Sequence, residues 1–144
     1  MALIIDANRA GDFSSEQRGH AVYILRCIEE KKLKVAVGGR LLRELGSTCL
    51  RDLLSEWGRA GILDRLQNSE VDAEEERCRK KGLRSDDPHV IAVALLSNAR
   101  LLYTEDEYLI DDFKNINFLR PKGKIFKTGT KEKIVRALVR QYGI

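Results

Sequence analysis

A chain of 144 residues has the length of one ordinary domain, enough for one substantial core and too short for two. Hydrophobic residues make up 43% of it and charged residues 33%, a composition that excludes a disordered or fibrous protein. The 26 Lys and Arg outnumber the 22 Asp and Glu for a net charge of +4, which is compatible with a polyanionic partner but too modest to demand one.

The longest apolar run, 90–96, falls far short of the ~20 residues that cross a bilayer. Met1 leads straight into a strand-like run without the charged flank and cleavage site of a secretory leader, so the expectation is a cytoplasmic protein. Cys27, Cys49 and Cys78 are odd in number and show no C-x-x-C spacing, which points to free, structural thiols.

In chain order, Ala2-Leu3-Ile4-Ile5 is a short apolar run stopped by Asp6-Ala7-Asn8, the pattern of a strand buried on both faces whose end meets a polar site. Ser14 or Ser15 is placed to cap a helix over about 15–30, where Ala21, Val22, Ile24, Leu25 and Ile28 form one apolar stripe. Lys34-Val35-Ala36-Val37 predicts a second strand, and after Gly38-Gly39 the residues Leu41, Leu42 and Leu45 resume helical spacing, placing Glu44 on a helix. Leu50, Leu53, Leu54 and Trp57 mark a further helix ended by Gly58 or Gly61, and 62–66 holds a brief strand. The acid-rich stretch 70–79 has helical composition with little apolar periodicity.

Asp86-Asp87-Pro88 then signals a helix start with an acidic cap and a proline in the first turn, and the apolar run behind it predicts deep burial. Leu101-Leu102-Tyr103 is another strand, ended by Thr104-Glu105-Asp106. Lys124-Ile125-Phe126-Lys127 predicts a last strand before a helix over about 130–142. This alternation predicts an α/β fold, a mostly parallel sheet with helices on both faces, and such sheets bind ligands outside the carboxyl ends of their strands.

Asp6 and Asp106 both fall at such ends. Carboxylates brought together there repel one another unless a cation or proton relieves them. Oxygen-only ligands suit magnesium or manganese, and with two His in the chain zinc is the poorer fit.

Four blocks resemble the PIN-domain nucleases, a family that includes the toxin ribonucleases of toxin–antitoxin pairs. Ile4-Ile5-Asp6-Ala7-Asn8 is similar to the family's first block, and Leu41-Leu42-Arg43-Glu44-Leu45 to its second. Asp87-Pro88-His89-Val90-Ile91-Ala92-Val93-Ala94 resembles the third, and Leu101-Leu102-Tyr103-Thr104-Glu105-Asp106 the fourth. The likeness spans nearly the whole chain in family order. It implies a three-layer α/β/α sandwich and a single PIN-like domain over 1–144. It further implies an Mg2+- or Mn2+-dependent endoribonuclease with Asp6, Glu44, Asp87 and Asp106 as metal-holding catalytic acids and Asn8 and Thr104 as supporting hydrogen-bond groups.

Asp86 stands in reserve for Asp87, and Asp111 and Asp112 for Asp106. The implied partners are an RNA substrate, a small antitoxin protein and a second copy of the chain. A toxin and a stand-alone processing enzyme are both left open.

Local chemistry supplies competing roles. Asp87 is equally suited to capping its helix, Asp106 to a turn, and Glu44 taken alone to a solvated helix surface. His89 reads as a hydrogen-bonded packing residue and Trp57 as core or interface rather than a base-stacking platform. The segment 120–140 carries Lys122, Lys124, Lys127, Lys131, Lys133 and Arg136 against the single acid Glu132; Lys122, Lys124, Lys127 and Lys131 are candidate contacts to RNA phosphates. One rival function is a phosphoacceptor receiver domain, which Asp6, Thr104 and Lys127 mimic. Another is a catalytically inactive nucleic-acid-binding module of the same fold.

Overall fold

The computed structural model describes residues 2–14 and 21–143. Five strands form one sheet: β1 (Ala2–Ile5), β2 (Lys34–Val37), β3 (Leu63–Arg65), β4 (Leu101–Tyr103) and β5 (Lys124–Phe126). Their order is β3-β2-β1-β4-β5 and every pairing is parallel. Seven helices join or follow them: α1 (Val22–Glu29), α2 (Gly39–Gly46), α3 (Arg51–Arg59), α4 (Asn68–Arg79), α5 (Pro88–Ser97), α6 (Glu107–Phe113) and α7 (Glu132–Tyr142). The result is an α/β fold with an all-parallel sheet flanked by helices, the three-layer arrangement expected from the alternating pattern.

The register fixes the functional edge. Leu3, Ile4 and Ile5 pair with Leu101, Leu102 and Tyr103, so Asp6 and Thr104 leave the sheet side by side. Asp6 N–H donates to the Tyr103 carbonyl at 3.0 Å, continuing the ladder one step past the strand. From β1 the chain steps through β2 to β3 on one side, then returns to place β4 and β5 on the other. The change of direction between β1 and β4 is a topological switch point, where open parallel sheets bind ligands.

All four β1 residues are buried, as a strand covered on both faces requires. Helix α5 is apolar on every side because it packs against β1 and β2 and is itself covered by α4. Helix α4 has a narrower stripe than its neighbours, Val71, Glu75 and Cys78, spaced four and three residues apart. Arg100, only 4% exposed, is accommodated in the core because its guanidinium donates to the carbonyls of Ala94, Ala99 and Pro121, each at 2.8 Å.

Two local elements differ from expectation. Residues 7–13 form a 3-10 segment (Ala7–Phe13), and Ser14 closes it, its N–H and hydroxyl both donating to the Gly11 carbonyl; the residues that Ser14 is expected to cap lie outside the described ones. Ser15, the other candidate cap, and the helix expected over 15–20 lie outside the described residues. Helix α6 was not anticipated. It begins at Asp106, whose Oδ1 accepts from Tyr108 N–H and Leu109 N–H, and buries Leu109, Ile110 and Phe113 at helical spacing. Cys27, Cys49 and Cys78 are free thiols, and burial pushes those of Cys27 and Cys78 up.

Candidate active site

Asp6 stands immediately beyond β1 and is 5% exposed. Its Oδ1 accepts from Asn8 N–H at 3.1 Å and its Oδ2 from the Thr104 hydroxyl at 2.7 Å. Thr104 in turn accepts from Asp106 N–H at 3.1 Å. One wholly buried hydroxyl thus ties the ends of β1 and β4 together and sets Asp106 beside Asp6. Asn8 supports Asp6 through its backbone; its side chain is exposed.

Asp87 occupies the cap position of α5 but makes no capping hydrogen bond through its side chain. The expected cap role is therefore not what holds it. Burial pushes its carboxyl up to about 6, and the negative charges of Asp6, Asp106 and Glu44 push in the same direction against a smaller opposing pull from Arg40. Four acids from four separate segments therefore act on one region at the carboxyl edge of the sheet.

Glu44 is on α2, as its spacing predicts, and is the most strongly paired of the four. Arg40 Nε lies 3.0 Å from Glu44 Oε1, one helical turn away, and His89 Nε2 lies 3.2 Å from the same oxygen. His89 is 1% exposed. Burial holds its imidazole below the usual range although Glu44 pulls the other way. Helix α2 is brought close to α4 by Gly39, which has φ +55° and whose N–H donates to Asn68 Oδ1 at 2.9 Å. A Cβ there would lie 2.6 Å from Val71 Cγ1.

The reserve acids have other partners. Asp112, 1% exposed, accepts from the backbone N–H groups of Arg84 and Ser85, both at 2.9 Å, and so closes the loop that delivers Asp87. Asp111 pairs with Arg84 at 2.6 Å. Asp86 is exposed. The candidate lysines divide by the direction of β5: Lys122 and Lys124 are at its amino end, opposite the acids. Lys127 and Lys131 follow its carboxyl end, with Lys127 Nζ 3.2 Å from Glu107.

A second polar cluster went unrecognised in the sequence. Asp12, in the 3-10 segment, accepts from Arg9 at 2.9 Å, from the Tyr103 hydroxyl at 2.8 Å and from Thr128 Oγ1 at 2.9 Å. Burial alone would raise its carboxyl, but the hydrogen bonds from Tyr103, Thr128 and Arg9 win and hold it below the ordinary value. This cluster fastens the segment after β1 to the end of β4 and to the turn after β5. Its members are far apart in sequence, so no local pattern announced it.

The donor set near the switch point consists of oxygens. Asp87 carries no side-chain hydrogen bond among the described residues, and Asp106 spends only Oδ1 on its helix cap. These open oxygens, and the rise of Asp87 under burial and three neighbouring negative charges, fit a hard divalent cation. Among the described residues no three His, Cys, Asp or Glu side chains form a ready ligand set for one ion. Mutual repulsion opposes such closure in metal-free protein, and magnesium in any case keeps several waters and takes only one or two carboxylates directly. Fold and site together define an α/β protein with a cluster of acids at the switch point of its sheet. Compared with protein-family models, with curated proteins and with solved structures, the chain matches none.

Proposed function

We propose that this protein is a metal-dependent endoribonuclease of the PIN type, a hydrolase of RNA phosphodiester bonds. The observation that carries the reading is the bonded chain from Asp6 through Thr104 to Asp106 across the β1–β4 switch, with Asp87 close enough to feel both acids. Asp6, Glu44, Asp87 and Asp106 would hold magnesium or manganese, which when bound supplies Lewis acidity toward water and phosphate oxygens. Thr104 and Asn8 N–H fix the orientation of Asp6, and His89 and Arg40 fix that of Glu44. Asp87 gives up its proton above about pH 6 and completes the negative charge that a cation needs.

The reading carries with it a cytoplasmic protein with RNA as substrate and, in its toxin form, a small antitoxin or a second copy of the chain as partner. A short neighbouring open reading frame would separate a toxin from a processing enzyme. Lys127 and Lys131, on the same edge as the acids, are the better placed of the four lysines to meet phosphates flanking the cut. The receiver alternative is disfavoured by strand order, since receivers follow 2-1-3-4-5 and this sheet runs 3-2-1-4-5.

Pure protein incubated with total RNA, with and without magnesium or manganese, tests the proposal beside Asp6→Asn. Metal-dependent fragments from the wild type and none from the folded variant are expected. Absence of a metal-dependent cut, or equal cutting by the variant, defeats the assignment.

A further inference from the structure

Of the chain's one Trp, four Tyr and four Phe, Tyr108 alone is exposed, at 56%. It is also the aromatic tied most directly to a candidate acid: its backbone N–H donates to Asp106 Oδ1 at 3.0 Å. The Arg84 guanidinium lies 5.1 Å from the ring centroid, within cation–π range, and is held there by Asp111 at 2.6 Å. Arg84 belongs to the loop that delivers the other open acid. Its N–H and that of Ser85 are fixed by Asp112, and Ser85 Oγ accepts from Asp87 N–H at 3.4 Å.

An exposed ring costs solvation and contributes nothing to this core. What the fold does with it is to hold its backbone on the Asp106 cap and, through Arg84, to set the ring beside the loop that delivers Asp87. A planar π-face oriented by a guanidinium is the chemistry that receives an unstacked nucleobase, and the guanidinium beside it suits the attached phosphate. Bases inside a duplex are already stacked and paired, so such a platform selects single strands, loops or ends.

We propose that Tyr108, oriented by Arg84, is a stacking platform for an unpaired nucleobase next to the cleaved bond. This rests on the ribonuclease reading of the acid cluster.

The test is fluorescence anisotropy with a labelled short single-stranded RNA of mixed sequence, and with the same strand annealed to its complement, on full-length protein carrying Asp6→Asn to prevent cleavage. Adding Tyr108→Leu should weaken single-strand binding about ten-fold, adding Tyr108→Phe should leave it unchanged, and neither should alter duplex binding. The ring is exposed, so melting temperatures should match. Single-strand affinity untouched by Tyr108→Leu, equal loss on duplex, or loss with Tyr108→Phe as well overturns the platform. Cleavage by otherwise wild-type protein, run alongside, separates the two readings. If it cuts RNA and Tyr108→Leu binds normally, only the platform fails; if it cuts no RNA, the ribonuclease reading fails while anisotropy still reports on the ring.

Discussion

Thr104 does two jobs with one oxygen, donating to Asp6 and accepting from Asp106 N–H, and among the described residues no other side chain bonds to both acids. Thr104→Val keeps the shape and removes both bonds. Residues that orient metal-site ligands typically change affinity or activity by about 10–100-fold when lost, and RNA cleavage by Thr104→Val should fall in that range with the circular dichroism spectrum unchanged. Asp87 makes a prediction about pH. Because its carboxyl is held above the ordinary value, the folded chain binds more protons than the unfolded one between about pH 4 and 6. Metal-free stability is therefore greatest below that window with respect to this group and falls as pH rises through 6. Thermal melts in chelator should show this loss, Asp87→Asn should flatten it, and added magnesium should restore stability above pH 6 in the wild type alone.

Elements carry these side chains into place through a few close approaches. Helix α2 bears Arg40 and Glu44, and it nests on α4 at Gly39, where a Cβ would strike Val71 and a positive φ already disfavours any other residue. Gly39→Ala should cost about 1–3 kcal/mol in urea unfolding and should lower cleavage more than stability alone explains, since α2, which carries Glu44, must shift away from α4. The 3-10 segment is fastened differently, through Asp12. Its hydrogen bonds hold the carboxyl low, so their contribution is present above the unfolded value and is lost as pH falls through the folded one. Asp12→Asn should destabilise by roughly 2–3 kcal/mol at neutral pH, because the Tyr103 hydroxyl and Arg9 lose an ionised acceptor, and the deficit should shrink toward acid pH in denaturant titrations.

At the scale of the whole molecule, α5 is the axis on which the rest is assembled. It lies against β1 and β2, is covered by α4 and begins at Asp87. Ile91, fully buried in its middle, has no route to relax, and Ile91→Ala should cost about 2–5 kcal/mol in a single cooperative denaturant transition. Among the described residues no helix is long and apolar enough to cross a membrane. The positive charge of the C-terminal segment is divided by the sheet: part follows the carboxyl end of β5 beside the acids, and part stands at the opposite edge.

Period and punctuation in the chain determined the α/β class, the five strands of the described residues, the buried α5 and the position of Asp6 at the end of β1, because each depends on neighbours a few residues away; Asp106, expected to end β4, instead caps α6. Helix α6 has local signals as well, an Asp cap and apolar spacing, whereas the 3-10 segment has no such period. Tertiary structure alone decided the strand order, and with it the pairing of β1 with β4 that joins Asp6 to Thr104. It also decided that Asn8 acts through its backbone, that Asp87 leaves its helix uncapped, that Asp112 belongs to a loop, and that Arg40 and His89 face Glu44. These are outcomes of burial and of hydrogen bonds between residues distant in sequence. Their partners are chosen by packing, which no local pattern encodes.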